Sequence, residues 1–174
     1  MLPLARHGIG MLTSAKFVIG GDAPRGGCMP GPTKINDQLT VSGQIGLADI
    51  AEIAKLGFAS IINNRPDGEE PGQPDHETIA AEAQKHGLKY HFIPVVTGSI
   101  TRNDVVQFQK AMLRDGPAFA HCRSGTRCFL LWGLSRALLD GESSLPLVAD
   151  AARKGYDLRV LPALVEKLDG ERNA

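Results

Sequence analysis

Hydrophobic residues over positions 38–139 follow two spacings in turn, and this alternation predicts strands that are separated by helices. Four short apolar segments predict strands, at residues 38–42, 58–62, 88–95 and 117–120. Four longer segments carry apolar residues at helical spacing, at residues 46–56, 75–86, 103–114 and 126–139. The run at 58–62 is continuously apolar, which is typical of a strand that is buried on both faces of a parallel sheet.

The C-terminal part of the chain adds helices without further strands. Two more helices are predicted at residues 145–154 and 158–168, with Gly155 between them. Strands that alternate with helices favour a parallel sheet with right-handed crossovers. We therefore predict an α/β domain over residues 36–170, with about four mainly parallel strands flanked by helices on both faces. A chain of 174 residues is long enough to give this domain a core.

Residues 1–35 differ in composition from the predicted domain. Glycines and prolines crowd this segment and disfavour any regular element. The mildly apolar stretch at residues 9–19 is too short and too polar to span a membrane, and it lacks the basic start and clean apolar core of a signal peptide. We predict a flexible extension over residues 1–35 that takes no part in catalysis.

The composition narrows the classes of partner and cofactor. Lys and Arg number 19, Asp and Glu also number 19, and the formal net charge is zero. No global field therefore draws the chain to nucleic acid or to a membrane, and selectivity must be local. Three cysteines without a framework spacing favour a cytoplasmic protein over a disulfide scaffold. The scattered histidines and cysteines form no zinc pattern, and no metal or other cofactor is predicted.

The segment 121–127 carries the candidate chemistry. It joins the predicted strand at 117–120 to the following helix, so its backbone N–H groups are expected to point inward at the positive end of that helix. Cys122 lies at the base of this loop, where its thiolate is favoured over its thiol. Arg127 adds a planar fork of donors that can grip an oxyanion. The pattern predicts nucleophilic attack by Cys122 on a group that carries several negative oxygens.

Three segments of the chain resemble a known family. The run 121–127, His-Cys-Arg-Ser-Gly-Thr-Arg, resembles the signature of cysteine-dependent protein-tyrosine and dual-specificity phosphatases. Together with Leu-Thr-Val-Ser-Gly-Gln at 39–44 and Asn-Arg-Pro-Asp-Gly-Glu-Glu at 64–70, it is similar to the phosphatase-like domain of the bacterial beta-lactamase-hydrolase-like proteins. The resemblance covers roughly residues 36–145. It implies a cysteine-phosphatase-like fold and a hydrolase that cleaves phosphate monoesters through a cysteinyl-phosphate intermediate.

The resemblance also implies roles for the residues around Cys122. The loop amides and Arg127 would hold the substrate oxygens, and His121 would organise the loop through hydrogen bonds and help to keep the thiol ionised. Arg65 could bind the substrate anion from another loop, or it could form a surface salt bridge. The predicted substrate-binding residues are thus His121, Arg123, Ser124, Gly125, Thr126 and Arg65. The expected partner is a phosphorylated or sulfur-bearing small molecule or protein.

The spacing between Cys122 and Arg127 leaves other activities open. Four residues separate them, whereas the usual tyrosine-phosphatase loop has five, and the pattern also resembles the shorter loop of rhodanese-type sulfurtransferases. Cys128 stands where the phosphatases usually carry Ser or Thr; it is either a buried helix residue or a resolving thiol for an oxidised Cys122. The alternatives are a sulfurtransferase that uses a Cys122 persulfide, and a non-catalytic anion-binding or redox-sensing module.

A phosphatase also needs a proton donor for its leaving group. In the phosphatases that the chain resembles, an aspartate comes from the loop after the strand that precedes the signature strand, and here that loop, at residues 96–101, contains no carboxylate. The remaining candidates are Asp67, Glu69 and Glu70, on the loop that follows another strand. We favour Asp67 as the catalytic acid, with a turn position before Gly68 as the alternative role.

Overall fold

A central sheet organises the computed structural model, which describes residues 31–171. The described residues form five strands in the order β1-β2-β5-β3-β4. The strands are β1 (Thr33–Lys34), β2 (Leu39–Ser42), β3 (Ser60–Asn63), β4 (Lys89–Phe92) and β5 (Ala118–His121). The strand β1 pairs antiparallel with β2, and the other three pairings are parallel. The predicted α/β fold with a mainly parallel sheet is confirmed.

A short 3-10 helix, Thr97–Ser99, follows β4, and six α-helices connect and cover the strands in the described part of the chain. They are α1 (Leu47–Lys55), α2 (His76–Lys85), α3 (Arg102–Arg114), α4 (Thr126–Leu138), α5 (Ser144–Arg153) and α6 (Leu161–Gly170). Side chains cap two of them: Asp75 accepts the Thr78 N–H at 2.7 Å, and Thr101 forms a capping box with Asp104. Within residues 31–171, no helix is both long enough and apolar enough to cross a bilayer.

The sheet separates two hydrophobic clusters, as expected for a sheet that helices cover on both faces. On one face, Ile50 of α1 and Ile79 of α2 pack with Phe119 of β5. On the other, α3 and α4 contribute Phe108 and Phe129 to a larger cluster that also includes residues of α5 and α6. Alternation along β5 sends successive side chains to opposite faces. All four residues of β5 are buried, so the strand before Cys122 has little freedom to move.

The strand β1 lies in a segment for which the sequence predicted no regular element. Thr33 pairs with Val41 and Lys34 with Thr40, so that β1 adds an antiparallel edge to the sheet. A two-residue strand is too short to give an alternating pattern, which is why periodicity could not reveal it. The rest of the predicted extension, residues 1–30, lies outside the described residues.

Candidate active site

The candidate site lies where the carboxyl ends of three parallel strands meet. The loops after β3, β4 and β5 enclose a pocket of about 470 Å³. The residues that line it are Glu69, Val96, Thr97, Gly98, Arg123, Ser124, Thr126 and Arg127. Open α/β sheets bind their ligands at this edge because the strands present loop ends and helix N-termini there. Within the described residues, no three His, Cys, Asp or Glu side chains are placed to hold a metal ion.

Cys122 is buried directly after β5, at the start of the loop whose following residues line this pocket. The Gly125 N–H donates to Cys122 Sγ at 3.1 Å, because the loop turns back on itself with Gly125 at a φ of 87° before α4 begins. The pKa of Cys122 is lowered to about 5 by a hydrogen bond from Cys128, by the backbone of Ser124 and by the charge of Arg127, against the opposing effect of burial. Cys122 is therefore a thiolate at neutral pH.

Cys128 lies in the first turn of α4 and is fully buried, as expected for a helix residue in the core. Burial and the neighbouring Cys122 sulfur raise the pKa of Cys128 well above its ordinary value. Cys128 thus keeps its proton and donates it in a hydrogen bond to the Cys122 thiolate. A role as a resolving thiol stays a prediction.

Arg127 is fixed in the pocket by the loop that follows β3. Its Nη1 donates to Glu69 Oε1 at 2.6 Å and to the Val95 carbonyl at 2.9 Å, and its Nη2 donates to Glu69 Oε2 at 2.8 Å. An arginine side chain has five N–H bonds, so these contacts leave about two for the Cys122 sulfur or a bound anion. The guanidinium also attracts the Cys122 sulfur directly.

Glu69 is held as a carboxylate by two arginines. Hydrogen bonds from Arg127 and Arg65, together with their charges, lower the pKa of Glu69 to about 2 against the effect of burial. A carboxyl group with this pKa carries no proton at neutral pH. Glu69 therefore orients Arg127 and is unsuited to the role of general acid.

Arg65 lies beneath the site rather than in it. Its side chain is 3% exposed, and its nitrogens donate to Glu69 Oε2 at 2.9 Å, Gln44 Oε1 at 2.8 Å and Glu70 Oε2 at 2.8 Å. Arg65 is absent from the pocket lining. Arg65 was predicted to bind the substrate anion, but in the structure it holds Glu69 and Glu70 instead. Its buried charge needs those carboxylates as partners.

Asp67, the acid favoured from the sequence, is engaged away from the pocket. Its Oδ1 accepts the backbone N–H of His76 at 2.9 Å, and its Oδ2 lies 2.5 Å from His76 Nδ1. Asp67 therefore braces the start of α2, and it does not line the pocket. Its neighbour Glu69 does line it, and Glu70 pairs with Arg123 at 2.6 Å. The choice among these three carboxylates depended on side-chain direction, which sequence spacing in a loop does not determine.

His121 does not form the hydrogen bonds that were predicted for it. Neither ring nitrogen has a partner among the described residues, and the side chain is fully buried. Burial and the charge of Arg65 lower the pKa of His121 to about 3, so the ring is neutral. His121 contributes through its backbone instead, because its carbonyl accepts the Asn64 N–H at 2.9 Å and joins β5 to the loop after β3.

The remaining predicted loop residues are brought together around Cys122. Arg123, Ser124 and Thr126 line the pocket, and the Gly125 N–H donates to the Cys122 sulfur. The Arg123 side chain is 63% exposed at the mouth. Residues 96–98 form another wall of the pocket, although the loop 96–101 was considered from the sequence only as a source of the catalytic acid and no site residue was assigned to it. Its position after a predicted strand was a signal that could have located this wall.

Comparison with known proteins identifies the family. Residues 33–139 match the family model described as "Beta-lactamase hydrolase-like protein, phosphatase-like domain". The chain is 44% identical over 127 residues to a beta-lactamase hydrolase-like protein of Agrobacterium fabrum, an alignment that covers 72% of this chain and 29% of the relative. The chain thus spans less than a third of the length of this curated relative.

Two crystal structures show the same fold. A candidate phosphatase from Neisseria meningitidis superposes with a TM-score of 0.68 at 36% identity, covering 79% of this chain and 96% of that one. The core catalytic domain of the PP-IP phosphatase SIW14 from S. cerevisiae superposes with a TM-score of 0.56 at 16% identity, covering 82% and 96%. The chain belongs to the family of the phosphatase-like domain of beta-lactamase hydrolase-like proteins, and it shares its fold with these two structures.

Proposed function

We propose that Cys122 is the nucleophile of a group-transfer enzyme and that the group it accepts is a sulfane sulfur. The observation that carries this proposal is the state of the carboxylates at the site. Glu69 is held ionised by two arginines, and Asp67 is paired with His76 outside the pocket. A phosphate monoester with an alkoxide leaving group needs a proton donor, and none of the described pocket residues supplies one at neutral pH.

Sulfur transfer needs no such donor, because its leaving group is stable as an anion. In the first step, the Cys122 thiolate attacks the outer sulfur of thiosulfate, a sulfur–sulfur bond forms, and sulfite leaves with the electron pair of the old bond. In the second step, an acceptor thiolate attacks the outer sulfur of the Cys122 persulfide and releases the Cys122 thiolate. The Gly125 N–H and Arg127 would stabilise the Cys122 sulfur as the attacking thiolate of the first step and as the thiolate released in the second.

The loop length supports the same proposal. Only four residues separate Cys122 from Arg127, so the ring of backbone N–H groups is smaller than the five-residue ring that binds a tetrahedral phosphoryl group in the tyrosine phosphatases. The Cys128 thiol lies against the Cys122 sulfur, where the phosphatases usually carry a hydroxyl. A small ring with two sulfur groups at its base is better matched to one sulfur atom than to three equatorial oxygens.

The first test compares the wild-type chain with Cys122→Ser, using thiosulfate and a thiol acceptor. We expect sulfite release by the wild type, an added mass of one sulfur atom on the Cys122 peptide, and a loss of about 10³-fold or more in the variant, because serine is a far weaker nucleophile than a thiolate. Cys128→Ser keeps a hydroxyl that can donate to Cys122, so it should lose far less turnover than Cys122→Ser. Sulfite release by Cys122→Ser at the wild-type rate would overturn the proposal.

A second candidate is the hydrolysis of phosphate monoesters through a cysteinyl-phosphate intermediate. The observation that favours it is the similarity to the candidate phosphatase from Neisseria meningitidis over nearly the whole of that chain. Without a proton donor, this activity should be confined to esters with acidic leaving groups, such as aryl phosphates. Phosphate release that depends on Cys122, without sulfite release from thiosulfate, would replace the first proposal with this one.

A further inference from the structure

Tyr156 contacts the Cys122 loop from outside the segment that matches the family model. It lies between α5 and α6, and the family match ends at residue 139. Its side chain is buried and does not line the pocket. No sequence pattern pointed to it, because its importance depends on which loop α5 and α6 bring it against.

Tyr156 lies close to Gly125, the residue whose N–H donates to the Cys122 sulfur. A Cβ atom on Gly125 would lie 3.0 Å from Tyr156 Oη and 3.1 Å from its Cε1, and 3.2 Å from the carbonyl carbon of Ser42. Gly125 is thus packed closely against both the Tyr156 ring and the end of β2, which leave no room for a Cβ atom. Such contacts leave its peptide little room to rotate.

Tyr156 is itself held from three directions. Its backbone N–H donates to the Ala151 carbonyl of α5 at 2.9 Å. Its hydroxyl donates to Thr33 Oγ1 of β1 at 3.3 Å, and its ring packs edge-on against Phe129 of α4 with centroids 5.2 Å apart. A side chain fixed by a helix, a strand and an aromatic neighbour is a rigid support.

We propose that Tyr156 is a positioning residue for the nucleophile, with its ring packed against Gly125 so that the Gly125 N–H stays directed at Cys122 Sγ. This role rests on the proposed function in one respect only, the use of Cys122 as the nucleophile. The other groups that stabilise the Cys122 thiolate are the Cys128 thiol, the backbone of Ser124 and of Cys128, and the Arg127 guanidinium. None of these groups forms one of the hydrogen bonds described for Tyr156.

The experiment measures the rate at which iodoacetamide alkylates Cys122 between pH 4 and pH 9, in the full chain. The Cys122 peptide is followed by mass spectrometry, because Cys28 and Cys128 also carry thiols. In Tyr156→Ala, we expect the midpoint of the alkylation profile to rise by about one pH unit, since a misaligned amide stabilises the thiolate less. Tyr156→Phe keeps the ring contact and should stay within about 0.3 units of the wild type.

Leu164→Ala is the matched control, because Leu164 is buried on α6 and belongs to the same hydrophobic cluster as Tyr156. It should lower the melting temperature and leave the alkylation midpoint unchanged. A wild-type midpoint in folded Tyr156→Ala, or an equal shift in Leu164→Ala, would overturn the proposal. If Tyr156→Ala does not fold, Tyr156→Leu retains apolar volume and should shift the midpoint in the same direction; an unchanged midpoint there would equally overturn it.

Alkylation separates this inference from the proposed function. It reports the Cys122 thiolate whatever group Cys122 accepts, so a shifted midpoint would support the role of Tyr156 even if thiosulfate is not a substrate. Conversely, turnover of thiosulfate by Tyr156→Ala at the wild-type rate, with a wild-type midpoint, would leave the proposed function standing and remove Tyr156 from it.

Discussion

At the scale of single residues, the two cysteines of the site have opposite protonation states because they share one hydrogen bond. The pKa of Cys122 is lowered to about 5, with the bond from Cys128 as the largest cause, while burial raises the pKa of Cys128. Only one of two such neighbours can be ionised at a time. Under the proposed function, the Cys128 thiol would therefore help to keep Cys122 in its nucleophilic form.

Replacement of Cys128 tests this division of roles. In Cys128→Ala the donor is lost, and the pKa of Cys122 should rise by about one unit, because each unit corresponds to roughly 1.4 kcal/mol of preference for the thiolate. The wild-type thiolate is present above pH 5 and disappears as the pH falls through that value, so the variant should lose reactivity at a higher pH. The measurement is the pH dependence of Cys122 alkylation.

Cys128→Ser is the control for that measurement, because its hydroxyl can donate the same hydrogen bond. It should keep the midpoint closer to the wild-type value than the alanine variant does. Equal midpoints in the wild type and Cys128→Ala would mean that Arg127 and the loop amides suffice to ionise Cys122.

At the scale of elements, the turn from the Cys122 loop into α4 requires a glycine for two independent reasons. Gly125 has a φ of 87°, and an added Cβ would meet Tyr156 and Ser42 at 3.0–3.2 Å. Gly141 also has a positive φ, of 76°, but an added Cβ would meet nothing within 4 Å. Alanine substitutions at the two positions therefore distinguish the energetic cost of backbone strain from that of close packing.

We expect Gly141→Ala to lower the free energy of unfolding by about 1 kcal/mol, from backbone strain alone. Gly125→Ala should lower it by about 2–4 kcal/mol, because overpacking is added to the same strain. It should also slow Cys122 alkylation at pH 6, since the Gly125 N–H leaves the sulfur. Urea unfolding with a parallel alkylation assay measures both effects, and equal losses of stability in the two variants would contradict the packing argument.

The sequence was most informative about the positions of the helices and strands. Helical spacing located all six described α-helices, and short apolar runs located β2 to β5, because burial on a sheet face imposes those periods. The loop at 122–127 was found because its residues are adjacent in sequence. The partnership of Arg127 with Glu69 could not be found in this way, because Glu69 lies 58 residues away in sequence. The direction of the Glu69 side chain also depends on its ion pair with the buried Arg65. The contact of Tyr156 with Gly125 could not be predicted for the same reason, since it depends on how α5 and α6 pack.

At the scale of the whole molecule, α5 and α6 belong to the same hydrophobic core as the segment that matches the family model. Leu161 of α6 packs against α4 where Gly133 leaves room, with its Cδ2 only 3.2 Å from the position of an added Cβ. One cluster includes Phe108 of α3 and Leu168 of α6. Residues that share a continuous core are expected to unfold together.

Leu161→Ala should therefore destabilise the whole described domain rather than its C-terminal end alone. We expect a loss of about 2–4 kcal/mol in the free energy of unfolding, from lost burial and the cavity left behind. Urea unfolding followed by the fluorescence of Trp132, the single tryptophan, and by far-UV circular dichroism should give coincident transitions in both proteins. Separate transitions would show that α6 unfolds independently.

The two arginines of the Cys122 loop differ in their exposure to solvent. Under the proposed function, the exposed Arg123 would attract an anionic substrate, and the largely buried Arg127 would align it after binding. Arg123 is 63% exposed at the mouth, whereas Arg127 is 12% exposed and already held by Glu69. Mobile ions screen the first strongly and the second weakly. Because the net charge of the chain is zero, no wider field assists the encounter. Rising ionic strength should thus slow the association of an anionic donor, while the rate of the chemical step after binding stays nearly constant.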